Sequence, residues 1–207
     1  MSVRLVLISD THNKESPIPR GDILVHAGDL TMGGTLLEIA AAGQWLREQP
    51  HRHKCIIAGN HDWAFQEDPE HAIAVLGDGK DGLTYLRDKE ATLGVLRIYG
   101  SPWQPSFCDW AFNLKRGEAL ARVWDRIPSG LDVLVTHGPP RSILDRVDDG
   151  RHEGCDDLLR AVLEKRPRLH VFGHIHEAHG IFKNEHTTFV NASIGYRREH
   201  RPVIIDL

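Results

Sequence analysis

Polar side chains of the kinds that bind metal ions follow five short apolar runs in this sequence, each at the point where its run ends. An apolar run that stops at a polar tip is typical of a buried strand that leads into a loop. Since carboxylate, amide and imidazole groups recur at all five ends, we expect the five loops to converge on one site. In chain order the tips are Asp10 with His12, Asp29, Asn60 with His61 and Asp62, His137, and His174 with His176.

The tip Gly59-Asn60-His61-Asp62 has an ordinary explanation when it is taken alone, because Asn and Asp after glycine are common in turns. One such tip can arise by chance, but five tips drawn from Asp, Asn and His in one small protein are better explained by a shared site. Histidine is unusually frequent, with 14 residues, and several of these lie among polar residues where we expect them in solvent. His26 and His170 occupy strand positions, where we predict hydrogen-bonded core histidines.

The spacing within the tips indicates how they could share cations. Asp10 and His12 are one residue apart, so both side chains point the same way if the extended conformation continues. The carboxylate of Asp29 has two oxygens, which is enough to bridge two cations. His174 and His176 also alternate, but the glycine before them allows a turn that could send them to different metals.

Regular elements between the tips are predicted from hydrophobic periodicity and turn signals. Helical spacing over residues 36–46 gives a β-α-β unit, and therefore a parallel strand pair with a right-handed crossover. Strands within residues 83–100 are expected to belong to a second, mixed sheet. We interpret residues 13–22 as a loop over the site and residues 77–82 as an exposed turn. Further helices are predicted over residues 69–76, 116–124 and 156–164, and further strands over residues 187–191 and 202–207.

Composition limits the classes of protein that this chain can represent. With 207 residues, it is long enough for a single domain over residues 1–207 with its own core. A net charge of −4 argues against an extended basic surface for nucleic acid. No apolar run approaches the ~20 residues that cross a bilayer, so no membrane partner is expected. The cysteines Cys55, Cys108 and Cys155 are typical of reduced thiols and predict a cytoplasmic protein.

The tips supply seven candidate metal ligands, too many for one tetrahedral zinc and without the thiolates of most structural zinc sites. Divided around a shared carboxylate, they form two four-ligand sites with room for water. Two cations ~3.5–4 Å apart can clamp a phosphoryl centre between the attacking and leaving oxygens. Mixed imidazole and carboxylate ligands suit manganese, which we expect first, or iron, zinc or cobalt, better than magnesium. The seven residues are Asp10, His12, Asp29, Asn60, His137, His174 and His176.

An aromatic-rich segment within residues 101–112 admits two interpretations. Trp103, Phe107, Trp110 and Phe112 lie beside turn-forming residues and could form the floor of a nucleobase pocket. Packing between the layers of the fold accounts for aromatic residues more often. The sequence leaves both interpretations open.

In order along the chain, the motifs Asp-x-His, Gly-Asp, Gly-Asn-His-Asp, His-Gly and Gly-His-x-His resemble those of the calcineurin-like metallophosphoesterase superfamily, and the likeness covers residues 3–207. Several longer stretches, including residues 110–113, 136–140 and 172–177, are similar to the small metallophosphoesterase-domain-containing proteins. The resemblance implies an α/β fold, a four-layer α/β/β/α sandwich of two mixed sheets flanked by helices. It also implies a metallophosphoesterase with two divalent transition-metal ions.

The same resemblance implies a role for each tip. A hydroxide that bridges the two metals would attack phosphorus in line, while His61 stabilises or protonates the departing oxygen. Asp62 is the acid available beside His61, and the two are the predicted catalytic residues, although their adjacency in sequence makes direct contact awkward. The implied ligands are Asp10, His12 and His176 for the first metal, Asn60, His137 and His174 for the second, and Asp29 as the bridge.

Two features of the motifs narrow the predicted function. Ser/Thr protein phosphatases of the superfamily carry Gly-Asp-x-x-Asp-Arg-Gly, whereas Asp29 is followed here by Leu30-Thr31-Met32-Gly33, so that activity is not expected. Some relatives lack a ligand at the position of His174 and behave as nucleotide binders, whereas His174 is present here and favours an active enzyme. The resemblance to the small metallophosphoesterase-domain-containing proteins implies a phosphodiesterase for small diesters such as 3′,5′ or 2′,3′ cyclic nucleotides, which is the function we predict. The alternatives are a slow or inactive nucleotide-binding regulator, a nuclease and a phosphomonoesterase.

Overall fold

Two mixed sheets with helices on their outer faces make up the fold of residues 2–195 and 200–207, which are the residues described in a computed structural model of the chain. The strands are β1 (Arg4–Ile8), β2 (Ile23–Ala27), β3 (His53–Ile57), β4 (Leu83–Tyr85), β5 (Lys89–Leu93), β6 (Leu96–Ser101), β7 (Gln104–Pro105), β8 (Asn113–Leu114), β9 (Val133–Thr136), β10 (Leu169–Phe172), β11 (Gly180–Lys183), β12 (Thr188–Asn191) and β13 (Val203–Asp206). The helices are α1 (Leu36–Glu48), α2 (Ala64–Glu67), α3 (Pro69–Leu76), α4 (Glu118–Trp124) and α5 (Asp156–Lys165).

The first sheet has the strand order β13-β1-β2-β3-β4. Strands β1 to β4 run parallel, and β13 pairs antiparallel with β1 at one edge. All five residues of β2 are buried. A strand that is buried throughout and apolar except for His26 is typical of a parallel strand that is covered on both faces.

The second sheet has the strand order β11-β12-β10-β9-β6-β5. Its four inner strands run parallel, and the two edge strands β5 and β11 pair antiparallel with their neighbours. Parallel strands end at the same edge of a sheet, so the loops that follow β9 and β10 lie side by side. The same holds for the loops after β1, β2 and β3 in the first sheet.

Three apolar clusters fill the spaces between four layers. The central cluster lies between the two sheets and includes Leu7 from β1 and Val135 from β9. A second cluster packs Ile39 and Leu46 of α1 against the first sheet, and a third packs Trp124 of α4 against the second sheet. The predicted α/β/β/α sandwich is therefore confirmed.

Helix α1 connects the parallel strands β2 and β3, as the periodicity of the sequence predicts. Thr35 caps its first turn by accepting a hydrogen bond from the backbone of Glu38, and the Glu38 side chain bonds back to the backbone of Thr35. The helix ends at Glu48, before Pro50. None of the helices in residues 2–195 and 200–207 is both long and apolar enough to cross a membrane.

The structure corrects the prediction for some strands. Within residues 83–100, β5 and β6 join the second sheet as expected, but β4 pairs with β3 and belongs to the first. Strands β12 and β13 lie in different sheets rather than closing the same one. Strand β11 was not predicted, because three of its four residues are exposed and an edge strand of this kind lacks an alternating apolar pattern.

Candidate metal centre

All seven candidate ligands lie in loops that follow parallel strands at the facing ends of the two sheets. The loops after β1, β2 and β3 carry Asp10, His12, Asp29 and Asn60, and the loops after β9 and β10 carry His137, His174 and His176. The Asp and His side chains among them form compact groups in which the potential ligand atoms lie within 4.8 Å of one another, and a further group of this kind joins His61 to His12 and Asp29. The fold therefore brings these distant parts of the chain to one place.

The first group consists of Asp10, His12 and His176. The Nε2 atom of His176 lies 3.2 Å from Oδ1 of Asp10 and 3.5 Å from Nε2 of His12. The backbone N–H of His174 also donates to Asp10 Oδ2 over 3.1 Å, which ties the loop of the second sheet to that of the first. One carboxylate and two imidazoles thus share a space the size of one cation.

The second group contains Asp29, His137 and His174. The Nε2 atom of His137 lies 3.5 Å from Asp29 Oδ1 and 2.9 Å from Asn60 Oδ1, so Asn60 belongs to this group as well. The rings of His137 and His174 are 5.1 Å apart between centroids. Like the first group, this second set contains one carboxylate and two imidazoles, and it adds the side-chain amide of Asn60.

Asp29 lies between the two groups and faces both. Its Oδ2 atom is 3.8 Å from Nε2 of His12, and its Oδ1 atom is 3.5 Å from Nε2 of His137. Oδ1 also accepts a hydrogen bond of 2.8 Å from the backbone N–H of His61. Each carboxylate oxygen therefore points to a different histidine, as a carboxylate that bridges two cations must do.

The backbone at the ligands is left-handed rather than extended. Asp10 has a φ angle of 59° and His12 one of 46°, so the extended conformation does not continue through this tip and the condition set for their alternation is not met. Asp29 and His174 also have positive φ angles, 55° and 68°. Such angles are uncommon for residues other than glycine and cluster at functional sites. The turn at His174 sends His174 and His176 to different groups, which was one of the two possibilities the sequence left open.

Backbone carbonyls orient the histidine rings of both groups. The Nδ1–H of His137 donates to the carbonyl of Ala27 over 2.9 Å, and Nδ1 of His12 lies 3.3 Å from the carbonyl of Thr31. A carbonyl can only accept, so each ring directs Nε2 toward the centre of the site. Sequence reasoning missed these partners because any residue supplies a carbonyl.

Two glycines keep space for the carboxylates. A Cβ atom at Gly59 would lie 2.3 Å from Oδ1 of Asp29 and 2.7 Å from Cε1 of His137. A Cβ atom at Gly173 would lie 2.2 Å from Oδ2 of Asp10. These distances are far below van der Waals contact, so only glycine permits the close approach of backbone and ligand.

Burial and charge indicate that this cluster is suited to cations. Asp10 is 0% exposed and Asp29 is 2% exposed, and their ion-pair partners among the described residues are histidines. Burial alone would raise the pKa values of both carboxyl groups. The hydrogen bond and charge of His176 instead hold the pKa of Asp10 well below its usual range, and His137 lowers that of Asp29 to about 2. Two buried, ionised carboxylates need positive charge nearby, which divalent cations would supply.

The two histidines of the second group have opposite pKa shifts. Burial lowers the pKa of His174 to about 4, so its ring is neutral at pH 7 and offers a lone pair to a metal. Burial opposes the charged form of His137 too, but the negative charge of Asp29 outweighs it and raises the pKa to about 9. A proton on His137 therefore occupies a place that a cation beside Asp29 would take over. The donor set fits a divalent metal.

His61 lies at the edge of this cluster. Its Nδ1–H donates to the carbonyl of Met32 over 2.8 Å, and its ring centroid is 4.0 Å from that of Trp110 and 4.6 Å from that of His12. The residue that orients His61, which the sequence did not reveal, is thus Met32 through its backbone. The Nε2 atom of His61 remains for contact with a substrate.

Asp62 is fully buried and accepts hydrogen bonds from two loops. Its Oδ1 atom accepts from the backbone N–H and the hydroxyl of Thr31, and its Oδ2 atom accepts from the N–H groups of Leu30 and Gly59. Burial, together with the charge of Asp29, raises its pKa to about 6. Asp62 therefore joins the loop that carries Asp29 to the loop that carries Asn60, and its predicted catalytic role stays a prediction.

Paired clusters of Asp, His and Asn at the facing ends of two mixed sheets define the class of the protein as a metal-dependent phosphoesterase. The chain belongs to the calcineurin-like phosphoesterase family, which its sequence matches over residues 3–178. Members of this family use divalent metals, and the chain has groups of His and Asp that can bind them. The protein is accordingly a phosphoesterase, a hydrolase.

Known proteins similar to the chain support this assignment. Metallophosphoesterase domain-containing protein 1 from Homo sapiens is 42% identical over 231 residues, which cover 99% of this chain and 71% of the human protein. UPF0046 protein K07C11.7 from Caenorhabditis elegans is 38% identical over 217 residues, covering 98% of this chain and 74% of that protein. The crystal structure of TT1561 from Thermus thermophilus has a TM-score of 0.62 at 11% identity, covering 92% of this chain and 89% of that one. This last likeness shows a shared fold.

Proposed function

We propose that the protein hydrolyses small phosphodiesters, among them 3′,5′ or 2′,3′ cyclic nucleotides, with two divalent cations bound at the candidate metal centre. The observation that carries the proposal is the position of Asp29, whose two oxygens face separate groups of histidines. A pair of cations ~3.5–4 Å apart suits in-line displacement at phosphorus. The family of the chain supports hydrolysis of a phosphoester bond.

The proposed ligands follow from the two groups of side chains. Manganese is our first choice for both positions, because imidazole and carboxylate donors are mixed, and iron, zinc and cobalt are the other candidates. When bound, such cations supply Lewis-acid activation of the phosphoryl group and of the attacking water. We assign Asp10, His12 and His176 to one cation, Asn60, His137 and His174 to the other, and Asp29 to both.

His61 is the proposed general acid for the departing oxygen. Since its Nδ1–H is held by the Met32 carbonyl, the proton that it delivers is the one on Nε2. The ring of Trp110 packs against His61, with the two ring centroids 4.0 Å apart, and so limits its rotation. The chain thus supplies a positioned proton donor beside the two groups of ligands.

The charge near the site favours diesters over monoesters. A phosphomonoester carries more negative charge than a diester and needs more cationic groups to hold it. Arg116 lies close to His174 and His176 in a neighbouring cavity, but its guanidinium donates to the carbonyls of Gly154 and Glu153. With its hydrogen bonds directed to the backbone, Arg116 is not arranged to grip phosphate at the metal centre.

The setting that we propose is the cytoplasm. Cys55, Cys108 and Cys155 are all free in the structure, and free thiols are common in that reducing compartment. The proposed partner is a small phosphodiester or nucleotide.

Metal-dependent hydrolysis of two chromogenic esters tests the proposed function. Protein stripped of metal and then supplied with manganese is expected to cleave bis-p-nitrophenyl phosphate faster than the monoester p-nitrophenyl phosphate. Faster cleavage of the monoester would contradict the diester preference. An absence of metal-stimulated hydrolysis, combined with tight AMP binding, would favour the regulator, and efficient digestion of single-stranded DNA at low salt would favour a nuclease.

A further inference from the structure

A cavity of about 290 Å³ opens directly beside the candidate metal centre. His174 and His176, one ligand from each group, form part of its wall. Any phosphodiester held by the cations therefore has this cavity next to its phosphorus. Its volume is near the lower end of the ~300–1,000 Å³ range of ligand pockets, which suits one small organic group rather than a length of polynucleotide.

An exposed aromatic ring stands at the wall of this cavity. The side chain of Phe107 is 59% exposed, and its ring centroid lies 6.2 Å from that of His174 in an edge-to-face arrangement. Pro139 and Ile175 add apolar surface to the same cavity. A phenylalanine that contacts the ring of a candidate metal ligand and still exposes most of its surface provides a stacking platform for a flat ring.

The charged residues of the cavity indicate which flat group fits. Arg116 contributes one positive charge, while Glu153 and Glu177 contribute negative charge. The Glu153 carboxylate lies 3.9 Å from the guanidinium of Arg116 and 2.8 Å from that of Arg151. Because both guanidinium groups are engaged with Glu153, while Glu177 has no ion pair with Lys or Arg among the described residues, the Glu177 side of the cavity repels an additional phosphate. The N–H groups of a neutral heterocycle find an acceptor there.

We infer that this cavity binds one organic arm of the diester and selects an uncharged nucleoside for it, with Phe107 as the surface on which the base stacks. The inference rests on the proposed phosphodiesterase function and narrows its substrates to diesters with a nucleoside arm that carries no further phosphate. Phe107 is then a specificity-determining residue, and the acidic side chains of the cavity exclude nucleotide chains.

Two esters that release the same product test the inference. Thymidine 5′-(p-nitrophenyl phosphate) and methyl p-nitrophenyl phosphate both release p-nitrophenolate and differ only in the retained arm. We expect kcat/KM of the manganese-loaded enzyme to be higher for the thymidine ester. Phe107→Ala should reduce this preference by about 5- to 150-fold, the range that corresponds to the loss of one base–aromatic stack. Phe107→Tyr should restore the preference, and Phe182→Ala, which removes a similarly exposed ring on β11, should not change it.

A third ester tests the role of charge. A thymidine ester with an additional 3′-phosphate should be cleaved less efficiently than the plain thymidine ester, and Glu177→Gln should reduce the difference. An unchanged preference in Phe107→Ala, or a better rate with the additional phosphate, would overturn the inference.

Binding of AMP separates this inference from the proposed function. If manganese-loaded protein cleaves neither ester, the proposed function fails, and calorimetric titration with AMP then decides the inference by itself. Phe107→Ala should raise the Kd for AMP by the same factor, while Phe182→Ala leaves it unchanged. Equal Kd values for wild type and Phe107→Ala would overturn the inference whether or not the protein is active.

Discussion

The Nδ1–H of His61 donates a 2.8 Å hydrogen bond to the backbone carbonyl of Met32. Met32 lies three residues after Asp29, and the backbone N–H of His61 donates in turn to the Asp29 carboxylate. These two hydrogen bonds therefore fix the position of His61, the proposed proton donor, relative to Asp29, the proposed bridging ligand. This arrangement sets the Nε2 atom of His61 as the only ring atom that can act on a substrate.

Replacing His61 by Asn tests its role as the general acid. The Asn side-chain amide can still donate to the Met32 carbonyl, but it has no group that can protonate the departing oxygen. We expect kcat for a nucleoside cyclic phosphate to fall by about 10²–10⁴-fold with both metals retained. The loss should be much smaller for bis-p-nitrophenyl phosphate, whose leaving group needs no proton.

The change in kcat is measured by steady-state kinetics with both substrates, and metal retention is measured by metal analysis of the purified variants. His71→Asn is the matched control, because His71 is an exposed histidine on α3 that bonds to Asp68. An equal loss for both substrates would show that His61 acts in some way other than proton donation. A wild-type rate with the cyclic phosphate would remove it from the mechanism.

Replacing Asp62 by Asn tests whether Asp62 has a structural role or acts as a catalytic acid. The Asn amide would place N–H groups against donors from Leu30, Thr31 and Gly59, and two of the four donors would lose their acceptor. At about 1–3 kcal/mol for each buried donor left unpaired, the free energy of unfolding should fall by about 2–6 kcal/mol. Urea unfolding in metal-free buffer measures this loss. Unchanged stability with a large loss of kcat would instead show that Asp62 moves protons.

Acid should destabilise the protein through its buried core histidines. The Nε2–H of His170 donates to the hydroxyl oxygen of Thr136, whose own proton goes to the carbonyl of Gly138, and Nδ1 of His170 has no partner among the described residues. Burial lowers the pKa of His170 to about 3. Burial has the same effect on His26, which lowers its pKa to about 3.

The sign of the effect follows from these pKa values. The unfolded chain takes up a proton on His170 near pH 6.5, while the folded protein does so only near pH 3, so stability is full above pH 6.5 and falls below it. One such group contributes a slope of about 1.4 kcal/mol per pH unit. His170→Gln should therefore flatten the fall in unfolding free energy between about pH 6 and pH 4 by this amount, measured by urea unfolding in metal-free buffer. An unchanged slope would show that His170 takes up its proton in the folded state.

The sequence was sufficient to predict the loops that meet at the site, but not the local backbone within them. Ligand types at the ends of apolar runs, combined with the parallel order of β1, β2 and β3, indicate that the loops converge. The left-handed backbone at Asp10 and His12 has no such signal, because neither residue type requires it. The same applies to the carbonyls of Ala27 and Met32, since an orienting carbonyl depends on where the chain passes.

The central claim is that two cations share Asp29, and the number of metal ions bound by each variant tests it most directly. Equilibrium dialysis against manganese, followed by metal analysis, should give two ions per chain for the wild type, as the proposed division of its ligands around Asp29 implies. Asp29→Asn should weaken both sites, whereas Asp10→Asn, the matched control in the first group, should weaken one. A wild-type protein that saturates at one ion, or an Asp29→Asn variant in which one site keeps its full affinity, would contradict the account.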